Sequence, residues 1–304
     1  MKWGAEAIWE AVVPSLAGFS VEILTEIDST NSELMRRARR GQLDPILLVA
    51  ERQTAGRGRL GRTWHSDDSH VGAGQFPDGP SLGKLAPSGG SAVREATSVG
   101  AGQIPDGPAL GATMPALTFS LGLVLSPQNW SGLSLAVGLG VAQSLHADLR
   151  LKWPNDIWLA DRKLAGILIE TALFGDQRYA VIGIGINIAP RSAAGLATAP
   201  AWLQEVQPGI DAALALQRVA LPLVQTLQKF EQTGFAPWQA DFNARDLLAG
   251  RDVVLSEGTQ GRALGVDADG ALRVQTDSGI KLVNSSEVSV RPLTANSPLS
   301  VRTG

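Results

Sequence analysis

Apolar and polar positions follow a recognisable period over most of this chain, and one long stretch follows none. Residues 5–13 (AEAIWEAVV) carry a helical pattern that Pro14 stops. Residues 19–27 (FSVEILTEI) alternate as a strand, with Val21, Ile23 and Ile27 toward a core. The run Asp28-Ser29-Thr30-Asn31 then offers helix N-caps, with Glu33 in the first turn of a helix reaching about Arg40. Residues 46–50 (ILLVA) are wholly apolar and suit a buried central strand, and a polar, glycine-rich loop follows at 51–66. Pattern resumes at Ala116. Strands are predicted at 117–125, 157–159, 164–170 and 179–188, with a helix over 133–149. Asp161-Arg162-Lys163 reads as a tight hairpin turn, which sets Lys163 at its tip. A second helix is predicted over 210–232, broken or kinked at Pro222. From Arg251 onward, four or five short strands separated by Gly-Thr-Gln-Gly, Asp-Gly and Ser-Gly turns make a small β-barrel.

The predicted fold class is therefore α+β: a mixed β-sheet with helices packed on one side, plus the small C-terminal barrel. The catalytic-size domain spans 1–248, the barrel 249–292, and residues 293–304 form a flexible tail. Residues 66–115 break the pattern. They hold ten glycines and six prolines, and VGAGQFPDGPSLG at 71–83 returns as VGAGQIPDGPALG at 99–111. Two copies with so little apolar material build no core of their own. About 69–113 is read as a duplicated insertion in a fold complete without it.

Composition narrows the chemistry. The chain has 304 residues, no cysteine and three histidines, which excludes disulfides, thiolate nucleophiles and Cys-ligated metal centres. Net charge is -3, which argues against broad nucleic-acid binding, and no apolar run is long enough to span a membrane. Nothing at the N-terminus reads as a signal peptide, so a cytoplasmic location is expected. Yet arginine outnumbers lysine 20 to 6, and four arginines fall within residues 52–62.

That concentration is the richest local feature: Gln53-Thr54-Ala55-Gly56-Arg57-Gly58-Arg59-Leu60-Gly61-Arg62-Thr63-Trp64. Glycines let backbone N–H groups approach a ligand, and guanidinium forks suit carboxylate or phosphate. The spacing is neither that of a Walker A loop nor that of a dinucleotide fingerprint. A second cluster, Lys152-Trp153-Pro154-Asn155-Asp156 with Asp161-Arg162-Lys163-Leu164-Ala165-Gly166, holds two of the six lysines. Asp156 serves equally as a turn-forming residue or as a functional one that holds a divalent ion or orients a lysine. A third, Gly183-Ile184-Gly185-Ile186-Asn187, strips side chains from one face of a strand and ends on an amide.

Taken in order, Asp-Ser-Thr-Asn, the Gly-Arg-Gly-Arg loop, Lys-Trp-Pro-Asn-Asp, Arg-Lys-Leu-Ala-Gly-Ile-Leu and Gly-x-Gly-Ile-Asn resemble the bacterial biotin protein ligases over nearly the whole chain outside 66–115. The resemblance implies a catalytic domain similar to the class II aminoacyl-tRNA synthetase and biotin synthetase-like fold, with an SH3-like C-terminal barrel. It also implies an enzyme using biotin, ATP and Mg²⁺, which forms biotinyl-5'-AMP and then biotinylates a lysine of the biotin carboxyl carrier protein of acetyl-CoA carboxylase. Carried over by position, Ser29, Thr30 and Asn31 contact biotin. Gln53, Gly56, Arg57, Gly58 and Arg59 form the loop that closes over it, and Trp64 is part of the ordered wall. Arg59 and Arg62 neutralise phosphate, Lys163 stabilises the activated carboxylate, and Lys152 assists on ATP. Asn155, Asp156 and Asn187 orient nucleotide and metal, with Asp156 the metal ligand, and Gly166 lines the site. Only about 20 residues precede the first predicted strand, too few for the helix-turn-helix domain of repressor members, so no specific DNA binding is expected. A homodimer is compatible with this reading. Lipoate–protein ligase, a non-catalytic biotin or adenylate sensor and an RNA-binding barrel are the competing functions.

Overall fold

The computed structural model describes residues 2–66, 114–191, 199–284 and 290–292. The repeated insertion, at 69–113, and the tail, at 293–304, lie outside the described residues. The elements in order are α1 (Ala5–Val12), β1 (Ser20–Ile27), α2 (Thr30–Arg39), β2 (Ile46–Gln53), β3 (Ala116–Val124), α3 (Leu133–Leu145), β4 (Arg150–Lys152), β5 (Asp156–Leu159), β6 (Arg162–Phe174) and β7 (Gln177–Asn187). They continue with α4 (Ala212–Thr233), α5 (Gln239–Arg245), β8 (Asp252–Leu255), β9 (Gln260–Val266), β10 (Leu272–Thr276), β11 (Gly279–Val283) and β12 (Val290–Pro292). A seven-stranded sheet runs β1-β2-β3-β7-β6-β5-β4, with β1 parallel to β2 and every other pair antiparallel. A five-stranded antiparallel sheet, β11-β10-β9-β8-β12, forms the C-terminal part.

Alternation along the central strands divides the large sheet into two unequal faces. One face carries Leu47, Val49, Leu117, Phe119, Leu121, Ile182, Ile184 and Ile186, which bury against α1, α3 and α4 in the main core. The hydrophobic faces of these helices fit that role. Nine of the thirteen residues of α3 are buried, because it lies between the sheet and α4. The helix α4 runs through Pro222 without the expected break. Buried contacts of Leu216, Val219, Ala220, Leu223, Val224 and Leu227 on both sides of the proline outweigh its cost of about 3 kcal/mol.

The opposite face corrects the one-sided arrangement predicted above. Here α2 is the one helix among the described residues that packs, through Leu34 and Ala38 against Leu48, Tyr179 and Val181. Among the described residues it leaves the rest of that face uncovered by helices. Ser29 caps α2 by accepting the Ser32 N–H at 3.4 Å, and the last turn carries Arg36, Arg37 and Arg39, where the helix dipole favours cations. An ion network pins the helix to β1. Arg36 forks onto Asp28 at 2.7 and 2.8 Å and reaches Glu33, while Arg37 bridges Glu33 and Glu22 at 2.8 and 2.6 Å.

Hydrogen bonds from these arginines hold the carboxyls of Glu22, Asp28 and Glu33 below their ordinary values of 4.5, 3.8 and 4.5. A depressed folded-state pKa gives stability that is present above the ordinary value and lost as pH falls through the depressed one. The groups are partly solvated, so the whole network is worth on the order of 1 kcal/mol, or about 2–4 °C in Tm. Thermal unfolding measured from pH 6 down to pH 3 is expected to fall by that much more in the wild type than in the Arg36→Gln/Arg37→Gln double variant. Equal slopes would contradict the assignment.

The C-terminal sheet is docked through specific polar bonds. Trp153 Nε1 donates to the Gly270 carbonyl at 3.1 Å, and the Asn243 side chain bonds both the N–H and the carbonyl of Val266. The Leu247 N–H donates to the Leu151 carbonyl at 2.8 Å.

Candidate active site

The open face beside α2 becomes a cleft because of which residues the strand register lines up. One row crosses six strands: Ala50 on β2, Thr118 on β3, Gly185 on β7, Gly166 on β6, Asp156 on β5 and Lys152 on β4. A second row runs Leu48, Ser120, Gly183 and Leu168. Small residues occupy the middle of both rows, so the floor is recessed there and rises to charged groups at one end. The cleft above it encloses about 1080 Å³ of space, its open mouth included.

The recessed end is polar and closed. Thr30, Asn31, Gln53 and Ser120 are all buried there. Gln53 Oε1 accepts from the Thr30 N–H at 2.7 Å and lies 3.0 Å from Thr30 Oγ1. Ser120 Oγ sits 2.7 Å from Thr30 Oγ1 and 2.6 Å from Asn31 Oδ1. The two glycines of β7 are what admit these groups. A Cβ on Gly183 would lie 2.0 Å from Asn31 Oδ1, and one on Gly185 would lie 2.3 Å from the Trp64 ring. Thus Trp64 rests on bare backbone, with its indole N–H buried and without an acceptor among the described residues.

The other end is cationic. A register shift between Ile157 and Trp158 puts both Leu164 and Ala165 in the core and re-aims the next residue out. Lys163 therefore reaches back over Gly166, and its Nζ donates to Asp156 Oδ1 at 2.7 Å. This corrects the turn-tip placement: the turn is Ala160-Asp161, both at positive φ, and Lys163 belongs to β6. Lys152 Nζ lies 4.7 Å from the centroid of the Trp158 ring. Arg59 Nη1 donates to Asn155 Oδ1 at 3.2 Å, and Asn155 Nδ2 is held by the Ile167 carbonyl at 2.8 Å. Burial pulls the Arg59 pKa down while the Asp156 charge opposes that, and the guanidinium stays protonated. Arg62 lines the same end, and its charge adds to the downward pull on Arg59.

The glycine–arginine loop roofs the cleft. It closes on itself through a bridge between Arg57 and Thr63 and a bond from the Trp64 N–H to the Gly56 carbonyl at 2.9 Å. Ser29, Arg57 and Gly58 line the cleft, whereas Gly56 does not and instead lies against the Trp64 carbonyl and Gln53. Asn187 also differs from expectation. It is absent from the cleft wall, and its amide is committed to the Ala201 carbonyl at 3.0 Å, the Lys163 carbonyl at 3.4 Å and Arg191 at 2.8 Å. It steadies the backbone behind Lys163.

Four residues here went unread in the sequence. Thr118 and Ser120 were legible in principle, as the polar alternate positions of an otherwise apolar strand. Glu170, which meets Asn31 and Arg57, and Arg191, which stacks 5.9 Å from Trp64, carry no local signal.

A polar, closed end leading to a cationic one suits a ligand with a neutral hydrogen-bonding head and an anionic tail. The profile of the biotin/lipoate A/B protein ligase family matches residues 24–72 and 115–187, and that of the biotin protein ligase C-terminal domain matches 253–291. The bifunctional ligase/repressor BirA of Escherichia coli is 34% identical over 291 residues, covering 92% of this chain and 77% of that protein. The chain belongs to the biotin protein ligase family. The biotin--[acetyl-CoA-carboxylase] ligase of Paracoccus denitrificans is 31% identical, covering 88% of this ligase and 98% of that one. Among solved structures, the biotin protein ligase of Aquifex aeolicus in complex with biotin and ATP is similar at a TM-score of 0.65 and 27% identity, covering 90% of this chain and 99% of that chain. The family profile resumes at 115 on the far side of the repeated segment. No helix among the described residues is long and apolar enough to cross a membrane.

Proposed function

We propose that this single cleft runs both halves of an ATP-dependent biotin ligation. A biotin carboxylate oxygen attacks the α-phosphorus of ATP and pyrophosphate leaves. The ε-amine of an acceptor lysine then attacks the acyl carbon of the mixed anhydride, and AMP leaves. The observation that carries the reading is the transverse row from Thr118 and Gly185 to Asp156 and Lys152, which joins a hydrogen-bonding pocket to a cationic one.

The first step forces two anions together, so charge neutralisation and alignment dominate over acid–base chemistry. The ring head occupies the Thr30, Asn31, Gln53 and Ser120 end, and the carboxylate points to Lys163. Arg59, Arg62 and Lys152 take the phosphates, while Asn155 sets Arg59. Closure of the glycine–arginine loop keeps water from the anhydride. The described residues hold no cluster of three or more metal-ligating side chains, and Asp156 is the one carboxylate among those that line the cleft. That fits a Mg²⁺ carried in on ATP phosphates, which keeps its waters and takes one carboxylate, Asp156. When bound, it would neutralise phosphate charge.

The acceptor is the biotin carboxyl carrier domain of acetyl-CoA carboxylase, a reading supported by the names of the Paracoccus relative and of that from Mycobacterium tuberculosis. The enzyme works in the cytoplasm, as a monomer or a homodimer. Residues 1–248 are the catalytic unit and 249–292 the small C-terminal domain, with about 69–113 as an insertion and 293–304 as a tail. A lipoate ligase is disfavoured because a dithiolane ring offers no hydrogen bonds to the buried polar end. Pyrophosphate–ATP exchange tests the reading. Exchange should require biotin and should not be supported by lipoate. Exchange driven equally by lipoate, or none with biotin, would overturn it.

A further inference from the structure

We propose that Glu170 is a positioning residue that fixes the donor–acceptor polarity of the ring-binding end, and with it the preference for a ring bearing N–H groups. The proposal rests on the biotin reading above.

Glu170 lies on β6 two residues beyond Leu168, on the face that lines the cleft. Its two oxygens have separate partners. Oε2 accepts from Asn31 Nδ2 at 3.0 Å, and Oε1 lies 3.2 Å from Arg57 Nη2 of the roofing loop. The other Asn31 amide proton goes to the Leu168 carbonyl at 3.2 Å. A carboxylate and a carbonyl only accept, so the Asn31 NH₂ must face them and its Oδ1 must face the other way.

That orientation propagates. Asn31 Oδ1 is 2.6 Å from Ser120 Oγ, and an amide oxygen cannot donate, so the single Ser120 proton is spent on Asn31. The Thr30 hydroxyl has one proton for two neighbours, Ser120 Oγ and Gln53 Oε1. The Thr30 hydroxyl, which lines the cleft, therefore meets an incoming ring with an oxygen lone pair, and the Ser120 oxygen behind it is already committed. Gln53 Oε1 is engaged by Thr30, which leaves its Nε2 as the donor on the Gly56 side. A cyclic urea supplies N–H groups and a carbonyl that complement this set, whereas a ring without N–H leaves the buried Thr30 lone pair unpaired. Thr30, Asn31, Gln53 and Ser120 are buried, while the Glu170 side chain is 22% exposed, so reversing a link beyond Asn31 exposes no group to water to compensate. The same carboxylate joins the ring site to the loop through Arg57.

Calorimetric biotin binding tests this in the full-length wild type, Glu170→Met, Glu170→Gln, Ser120→Ala and the Ser120→Ala/Glu170→Met double variant. Removing both acceptor oxygens in Glu170→Met should weaken biotin binding on the order of ten-fold. Glu170→Gln keeps one acceptor for Asn31 and should recover to within about three-fold of the wild type. In the Ser120→Ala background the methionine substitution should cost less than about three-fold, because the chain it orients is already cut. Unfolding midpoints without biotin distinguish this from damage to the fold. If Glu170→Met lowers the midpoint, Glu170→Asp, one methylene too short to span Asn31 and Arg57 together, carries the same expectation. Three results would overturn the proposal: Glu170→Met binding biotin within two-fold of the wild type, Gln as damaging as Met, or the same ten-fold cost with and without Ser120. A wild-type protein that does not bind biotin would overturn the underlying biotin reading and the proposal with it.

Discussion

Replacing Lys163 with alanine is expected to slow formation of biotinyl-adenylate on the order of 10²–10³-fold, the effect of deleting one preorganised donor aimed at developing charge. Its ammonium is placed by three independent features: the register shift in β5–β6, the bare backbone of Gly166 beneath it, and the Asp156 carboxylate at 2.7 Å. The Asn187 amide holds the Lys163 carbonyl from behind. Arginine should not substitute, because a planar fork cannot occupy the space above Gly166 that a compact ammonium fills. Biotin affinity should change little, since the ring site lies at the other end of the row. Single-turnover assays of adenylate formation with calorimetric biotin binding read the two effects separately. A rate within three-fold of the wild type would remove Lys163 from the chemistry.

Gly183→Ala is expected to weaken biotin binding on the order of 100-fold. The added Cβ would sit 2.0 Å from Asn31 Oδ1, and Asn31 has no room to yield because Leu168, Glu170 and Ser120 hold its amide on both sides. Forcing the atom in costs about 1–3 kcal/mol of stability as well, so the unfolding midpoint should drop by several degrees. Gly185→Ala makes a useful contrast. Its Cβ would meet the Trp64 ring of the roofing loop rather than Asn31, so adenylation should suffer more than biotin binding does. Equal biotin affinities for wild type and Gly183→Ala would mean that Asn31 does not read the ring.

The short-range features of this ligase are legible in its sequence. The Ser29 cap of α2, the apolar β2 leading into the glycine–arginine loop and the alternating glycines of β7 all act over a few residues, and local pattern reports them. What local pattern does not carry is register. Lys163 looked like a turn-tip residue because the shift that re-aims it depends on how β5 pairs with β6. Asn187 looked like a nucleotide ligand, yet Ala201 and Arg191, residues later in the chain, consume its amide. Helix α2 sits on the face opposite the other helices because Leu48, Tyr179 and Val181 leave an apolar patch there, and no one of these strands shows that alone. Glu170 was invisible for the same reason: its partners Asn31 and Arg57 are more than a hundred residues earlier.

The central claim is transfer of biotin to a protein lysine, and intact-mass spectrometry of an acceptor tests it most directly. A biotin carboxyl carrier domain incubated with this protein, biotin and MgATP should gain the mass of one biotinyl group. The gain should vanish when its acceptor lysine is replaced by arginine, or when ATP is left out. An acceptor whose mass is unchanged after complete incubation, with its lysine present and biotinyl-adenylate supplied, would contradict the account.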